Sequence, residues 1–233
     1  MYIDTLAKQI FSRFLFVTSS PTALLTGRTT DPLPVYPPGI GPALFDGSTN
    51  CTFPAPEISF NPSKYVGTQS SPAIWYQLAA SHHPYEEGCS CTYAKYAASP
   101  TNNGSILLEN FCTRTNGTEK LTSSVLGVAD SLEERFGVGS YRVQVGRHAA
   151  GECGDKSPNY VVGKVYMDEG DGPYQIAVVG QQNFGGWFLL SRKREIPRSN
   201  VDRYLKDIAS LGFDLSKPYS LTEQGPSCPE PKI

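Results

Sequence analysis

Long apolar runs and concentrated positive charge are both missing from this chain of 233 residues. No stretch reaches the roughly 18 apolar residues that a membrane-spanning helix needs, so the sequence predicts no such helix. The 20 Lys and Arg residues are balanced by 22 Asp and Glu residues, leaving a net charge of -2. Because nucleic-acid binding usually needs a basic surface, nucleic acid is a poor candidate partner.

Metal-ligand spacing is missing as well. Zinc sites usually combine two C-x-x-C-type pairs, or one such pair with nearby histidines. The one close pair here is Cys89 and Cys91, and C-x-C spacing places both thiols on the same side of a strand. We therefore predict no metal site and no dedicated cofactor, although a carried lipid or pigment could be bound.

What the chain does contain is an even number of cysteines, six, spread along its length. This pattern favours disulfides, and so a secreted protein or one in another oxidising compartment such as an organelle lumen. Three N-x-S/T sequons, at Asn50, Asn103 and Asn116, agree with secretion and are predicted glycosylation sites.

Residues 1–50 are predicted to be a leader, extended or partly disordered, because many prolines follow residue 31 and forbid helix. Near its start, Lys8 and Arg13 precede a short apolar run, Phe14–Val17. This is either a short signal-peptide core or an amphipathic segment that lies on a membrane or on the barrel. The leader is thus a candidate for peripheral membrane or protein contacts.

Residues 51–233 are predicted to form one all-β domain. Strand-like runs separated by turn signals number eight: 75–80, 91–97, 105–113, 120–128, 140–145, 159–167, 173–179 and 187–192. Short connections between eight strands predict an antiparallel up-and-down β-barrel. A helix is predicted to follow and to pack on the barrel wall, with Ser199 as N-cap, an apolar stripe from Val201 to Leu211, and Gly212 at the C′ position.

A tryptophan in the first strand and an arginine at the end of the last strand connect the two ends of this barrel. Trp75 and Arg192 are far apart in sequence, but they would meet if the first and last strands pair, with the guanidinium over the indole face. A closed barrel of about eight strands leaves room for one small ligand.

Several pieces of sequence, in their order and spacing, resemble the lipocalin family, in the branch that contains apolipoprotein D and bacterial lipocalin. The resemblance covers about residues 50–230, and its main pieces are Asn61–Gly67, Trp75–Ala79, Ile106–Asn110, Phe188–Arg192 and Gly212–Lys217. One departure is clear, since the family usually has Gly-x-Trp-Tyr whereas residues 68–74 separate Gly67 from Trp75 here. We expect an inserted loop or bulge, which could displace the small helix at the barrel base.

The resemblance implies roles for particular residues. Gly67, Trp75 and Arg192 would form the closed base. The inward faces of the strands would line the ligand pocket, and the predicted ligand-binding residues are Tyr96, Leu108, Asn110, Tyr160 and Phe188. Asn110 is the polar member, able to orient a ligand hydroxyl or carbonyl or to bond a neighbouring strand.

The resemblance also pairs Cys91 with Cys228 in the C-terminal tail. Cys89 and Cys112 are expected near facing positions of one hairpin and are paired on that basis. Cys51 and Cys153 remain as the third pair, although the family often ties its N-terminal cysteine to the seventh strand, where this chain has none.

The resulting function is a secreted carrier of a small hydrophobic ligand, such as a fatty acid, sterol, terpenoid or pigment. The alternative is a lipocalin-fold isomerase or cyclase that acts on an apolar substrate, which a free cavity thiol would favour. No Ser/His/Asp set is visible, so no catalytic residue is predicted. His82 and His83 lie near Glu86 and Glu87, which is compatible with a metal or pH-sensing site. An ordinary solvated loop is the favoured interpretation.

Overall fold

The computed structural model describes residues 44–45, 51–116, 119–146, 148–149, 153, 157–168 and 170–231. The predicted leader therefore lies almost entirely outside the described residues, as does Asn50. The helices are α1 (Pro62–Tyr65), α2 (Glu133–Phe136) and α3 (Arg198–Ser210). The strands are β1 (Leu44–Phe45), β2 (Thr52–Phe53), β3 (Ala73–Ser81), β4 (Ser90–Ala98), β5 (Ile106–Asn116), β6 (Glu119–Ser131), β7 (Ser140–Val145), β8 (His148–Ala149), β9 (Tyr160–Met167), β10 (Tyr174–Gly180), β11 (Trp187–Ser191) and β12 (Tyr219–Leu221).

Eight of these strands close into an antiparallel barrel, as predicted. Neighbours pair in the order β11-β10-β9-β7-β6-β5-β4-β3, and the two ends join because β11 also pairs with β3. The joining register sets Phe188 opposite Ala80 and Ser191 opposite Tyr76. Inward residues of alternate positions, among them Trp75, Ala94, Leu108 and Leu190, form the interior cluster.

The barrel has a closed base and an open mouth. The chain enters β3 at the base and reaches the mouth at Ser81, and each later barrel strand reverses that direction. The base is therefore bordered by the β4–β5, β6–β7 and β9–β10 connections, and the mouth by the β3–β4, β5–β6, β7–β9 and β10–β11 connections.

The C-terminal tail completes the wall near the mouth. β3 pairs with β4 only from Ala73 to Tyr76, and beyond that point the two strands diverge. β12 fills the gap, because Tyr219 pairs with Ser81 and Leu221 with Ala79. The amide of Cys91 in β4 then donates to the carbonyl of Glu223, so the tail is bonded to both strands.

Helix α3 packs on the outside of the barrel, as predicted. Its buried residues Val201, Tyr204, Leu205 and Ile208 join the outward side chains Leu78, Val178 and Leu189 in a second apolar cluster. The prediction that Ser199 caps the helix is wrong. The N-cap is Pro197, whose carbonyl accepts from the amides of Asn200 and Val201. Its extended backbone, with φ -53° and ψ 137°, suits the non-helical conformation of an N-cap residue.

The end of α3 follows the predicted pattern. Gly212 has φ +99°, which is accessible to glycine at little cost. The amide of Phe213 returns to the carbonyl of Ile208, and its ring joins the cluster beneath the helix.

The insertion between Gly67 and Trp75 forms a compact turn. Thr68 and Ser71 exchange backbone hydrogen bonds, and β3 begins at Ala73. A Cβ on Gly67 would lie 2.2 Å from the carbonyl oxygen of Ser71, so only glycine fits this fold-back. The small helix α1 stays at the barrel base, because the Gly67 amide donates to the carbonyl of Tyr96 and the Gly67 carbonyl accepts from Ala98.

Three disulfides use all six cysteines of the chain. They join Cys91 to Cys228, Cys89 to Cys112 and Cys51 to Cys153, with sequence separations of 137, 23 and 102 residues. These are the pairs expected from the sequence. No helix in the part of the chain that the structure describes is both long and apolar enough to cross a membrane.

Candidate ligand cavity

A cavity of about 540 Å³ occupies the barrel interior. Its size lies within the range of about 300–1,000 Å³ that is usual for small-molecule pockets. All five residues predicted to contact a ligand lie on its wall: Tyr96, Leu108, Asn110, Tyr160 and Phe188. The lining is mostly aromatic and aliphatic, and its one Lys, Arg or His side chain among the described residues is Arg114.

The base of the cavity is closed by Trp75, Tyr65 and Arg192. Trp75 is fully buried and its ring centroid lies 4.8 Å from that of Tyr65 in helix α1. The indole Nε1 donates to the carbonyl of Tyr65 at 2.9 Å, which ties the helix to the first barrel strand.

Arg192 lies over the same indole, as the sequence predicts, with its guanidinium carbon 4.7 Å from the ring centroid. One guanidinium nitrogen donates to the carbonyl of Ile74 at 3.3 Å. The last strand is thus joined to the first by a cation–π contact and a hydrogen bond as well as by strand pairing.

Three tyrosine hydroxyls form a chain at the closed end. The hydroxyl of Tyr160 lies 2.5 Å from that of Tyr65 and 3.2 Å from that of Tyr96. Tyr96 and Tyr160 line the cavity, whereas Tyr65 lies beneath it. Burial raises the pKa of Tyr65 and of Tyr160 well above the usual value, and it raises the pKa of Tyr96 to about 12. All three phenols are therefore neutral at physiological pH.

Asn110 lies nearer the mouth than Leu108 and is the next inward-facing residue along β5. It pairs with Ala94 on the neighbouring strand. Its amide lines the cavity. It is thus placed to contact a polar group of a bound molecule, which remains a prediction.

His83 is buried, whereas the sequence predicted a solvated loop at this position. It is only 7% exposed, and its ring is stacked between those of Tyr85 and Phe188, with centroids 5.1 and 4.8 Å away. Gly186 makes this possible, because a Cβ there would lie 2.3 Å from the imidazole. Burial, with a smaller contribution from His82, lowers the pKa of His83 to about 4.

A polar cluster lies on the wall beside the tail. The side-chain amide of Gln77 donates to the carboxylate of Glu86 and to the hydroxyl of Thr222, both at 3.1 Å. Burial raises the pKa of Glu86. Gln224 donates to the carbonyls of Gln77 and Thr92, so the tail is bonded to both strands that it bridges.

Sequence reasoning missed Tyr65, His83 and the Gln77–Glu86 pair. Tyr65 stands inside the Asn61–Gly67 segment, so its place at the barrel base could have been inferred from the same motif. His83 carries no such signal, because its burial depends on Gly186, about 100 residues later in the chain.

The remaining predicted sites concern surface groups and metals. Asn103 lies in an exposed turn before β5, where a glycan could be attached. Asn116 ends β5 beside residues outside the described set, and its glycosylation also stays a prediction. Among the residues described, no group of three or more His, Cys, Asp or Glu side chains could hold a metal ion.

The fold and the cavity define a closed β-barrel with an internal hollow, and comparison with known proteins gives its family. A model of the lipocalin-like domain matches residues 62–221. The chain therefore belongs to the lipocalin-like family. The sequence matches none of the curated proteins.

Solved structures with the same fold include apocrustacyanin C1, at 20% identity and TM-score 0.50, covering 72% of this chain and 82% of that one. Insecticyanin from the tobacco hornworm Manduca sexta is 14% identical, with TM-score 0.47 and coverage of 75% and 86%. Japanin from Rhipicephalus appendiculatus, solved bound to cholesterol, is 12% identical, with TM-score 0.43 and coverage of 68% and 96%. At these identities the likeness concerns the fold alone.

Proposed function

We propose that this protein carries one small hydrophobic molecule in the barrel cavity. The observation that carries the proposal is a closed barrel whose hollow of about 540 Å³ is lined mainly by apolar and aromatic side chains. Transfer of apolar surface from water into such a hollow is favourable by roughly 25 cal/mol per Å². The base is sealed by Trp75 and Tyr65, so a ligand would enter from the mouth.

The candidate ligands are a fatty acid, a sterol, a terpenoid or a pigment. A volume of this size accommodates one molecule of any of these classes in an extended or folded form. Japanin, a lipocalin-fold neighbour, is described as bound to cholesterol, which makes a sterol a natural member of the test panel.

We also propose that the protein works in an extracellular or other oxidising compartment. Three disulfides and the exposed sequon at Asn103 support this, because disulfides persist where the surroundings are oxidising. The alternative of a thiol-dependent isomerase has no support in the chain, since all six cysteines are joined in pairs.

The two tryptophans of the chain offer a direct binding test. Trp75 lines the cavity, whereas Trp187 belongs to the cluster under α3 on the outer wall. In a Trp187→Phe variant, Trp75 is the single fluorophore. Titration with oleic acid, cholesterol, farnesol and biliverdin should give saturable quenching of Trp75 by at least one of them, at one molecule per chain.

The converse variant, Trp75→Phe, is the matched control, because its remaining tryptophan lies outside the cavity. Its fluorescence should not change in a saturable way with the ligand that quenches Trp75. Failure of all four classes to bind, or equal quenching of Trp187, would overturn the proposal.

A further inference from the structure

The hydroxyl chain at the closed end of the cavity has one more donor than it uses. Tyr65, Tyr96 and Tyr160 carry three O–H protons, and two hydrogen bonds join their oxygens. Within the described part of the chain, no further hydrogen bond to these hydroxyls is found. One O–H is therefore left over, and a donor without a partner in a largely apolar hollow is unfavourable.

The O–H group that has no acceptor within the chain can point into the cavity. A chain of hydroxyls can reverse its direction, because each phenol both donates and accepts. Tyr96 is buried and Tyr160 is partly buried, and both line the cavity, so an acceptor at its closed end would draw the unused O–H proton onto one of them.

The charge of that acceptor is restricted by its surroundings. The one cationic side chain on the described cavity wall is Arg114, which is exposed at the mouth and donates to the backbone carbonyls of Tyr85 and Glu87. The guanidinium of Arg192 lies against Trp75 and is not part of the lining. The charge of Arg192 reaches Tyr65 beneath the cavity, but no cation on the described wall of the closed end could pair directly with a carboxylate, and burial of a charge without direct pairing is costly. A neutral oxygen avoids this cost.

The number of hydrogen-bond donors that a ligand brings distinguishes carbonyl compounds from alcohols at this site. A ketone, aldehyde or ester accepts the free proton and leaves no unpaired donor in the cluster. An alcohol also accepts it, but its own proton must then reach a free lone pair of a phenol oxygen, a second geometric requirement that a carbonyl does not impose.

We infer that the hydroxyls of Tyr96 and Tyr160 form a subsite for a neutral carbonyl oxygen at the inner end of an apolar ligand. The inference rests on the proposed carrier function and narrows its ligand class to hydrophobic ketones, aldehydes and esters. A ligand of this kind would enter with its carbonyl first and leave its apolar remainder against Leu108 and Phe188.

Three probes of equal chain length test the subsite: methyl tridecyl ketone, the corresponding secondary alcohol, and pentadecane. Each is titrated against the Trp187→Phe protein, with Trp75 fluorescence as the readout. The ketone should bind more tightly than the alcohol to this protein. In the double variant Tyr96→Phe/Tyr160→Phe on the same background, the ketone should lose roughly three- to tenfold in affinity, while pentadecane keeps its affinity within about twofold.

Tyr141→Phe is the matched control. Tyr141 is 1% exposed and its ring lies 6.3 Å from that of Tyr160, but it is not among the lining residues. This control should leave the affinities of all three probes unchanged. A second readout is the infrared C=O stretch of carbonyl-labelled ketone, which should move to lower wavenumber in the parent protein and recover in the double variant.

The outcomes separate the two proposals. If none of the probes binds, including pentadecane, the carrier function fails and the subsite fails with it. If pentadecane binds but the double variant weakens ketone and hydrocarbon equally, or if the alcohol binds as tightly as the ketone, the carbonyl subsite alone is wrong.

Discussion

The two ends of the barrel are held together in different ways. At the base, side chains pack in an aromatic cluster in which Tyr65 and Trp75 are fully buried beneath Arg192. At the mouth, the outer half of β6, from Glu119 to Leu126, is exposed throughout, and β6 pairs with β7 only from Gly127 onward. The base resembles a protein core, whereas the mouth is an extended hairpin with little core of its own.

Two of the three disulfides follow this division. Cys89 and Cys112 line the cavity beside the β3–β4 loop, and Cys91 and Cys228 fix the tail in the gap between β3 and β4. The third, Cys51–Cys153, lies against Asn183 of the β10–β11 connection and is buried in an apolar cluster with Phe53, Phe136 and Val161. Two covalent links are thus placed where β3 and β4 diverge at the mouth, and the sealed base depends on packing.

The largest difference between the two ends should be seen with aromatic truncations. Trp75→Ala removes a fully buried indole and its hydrogen bond to Tyr65, and should destabilise the fold by about 3–5 kcal/mol. Tyr85→Ala at the mouth removes a side chain that is 61% exposed but stacks on His83, and should cost about 1 kcal/mol. Urea unfolding measures both, and equal losses would contradict the division.

Removal of the two disulfides near the mouth should destabilise the protein by amounts that depend on the length of chain each one encloses. Cys91→Ala/Cys228→Ala opens a link that spans 137 residues, and should cost about 1–2 kcal/mol more than Cys89→Ala/Cys112→Ala, whose link spans 23 residues. Detachment of the tail should also raise hydrogen exchange at β12 and at the mouth half of β3. If exchange rose at Trp75 instead, the tail would not be a local part of the mouth.

His83 makes the mouth sensitive to acid. Its folded pKa of about 4 lies below the unfolded value near 6.5, so between these two values the unfolded chain binds more protons at this site. This contribution to stability is complete above about pH 6.5 and is lost as the pH falls toward 4, by about 1–3 kcal/mol. The raised pKa of Glu86 acts in the opposite direction, since it favours the protonated folded state at low pH.

NMR titration of the imidazole isolates the His83 effect from that of Glu86. The chemical shifts of His83 should change near pH 4, and the urea midpoint of His83→Phe should vary less between pH 6.5 and 4 than that of the parent protein. A normal titration of His83 near pH 6.5 would show that the stacked arrangement is absent in solution.

The smallest effect concerns the cation at the base. Arg192→Met removes the contact with Trp75 and the hydrogen bond to Ile74, and should cost about 1 kcal/mol. Arg198→Met is the control, because Arg198 makes an exposed pair with Asp202 that contributes a few tenths of a kcal/mol at most. Similar losses for the two variants would mean that Arg192 does not help to join β11 to β3.

Much of the base could be predicted from sequence, because its signals are local. Alternating apolar residues predicted the eight strands, and the Trp75 and Arg192 motifs predicted how the first and last strands meet. The inward faces also placed Tyr96, Leu108 and Tyr160 on the cavity wall, although ligand contact at these residues stays a prediction. Each of these inferences rests on strand periodicity or on a short motif.

The mouth was less predictable because its contacts are long-range. The tail strand β12 has weak strand character on its own and takes its place through the gap left by β3 and β4. The burial of His83 depends on Gly186, and the hydrogen bonds of Gln77 depend on Thr222 and Gln224. The capping residue of α3 was missed for a different reason, since a serine inside the first turn looked like the better cap than the proline before it.

Native mass spectrometry of the protein purified from its natural source tests the central claim most directly. The account predicts a population in which each chain, with three intact disulfides, holds one small hydrophobic molecule that is released on denaturation. A protein that shows only the mass of the bare or glycosylated chain, and that gives no organic-extractable molecule, would contradict it.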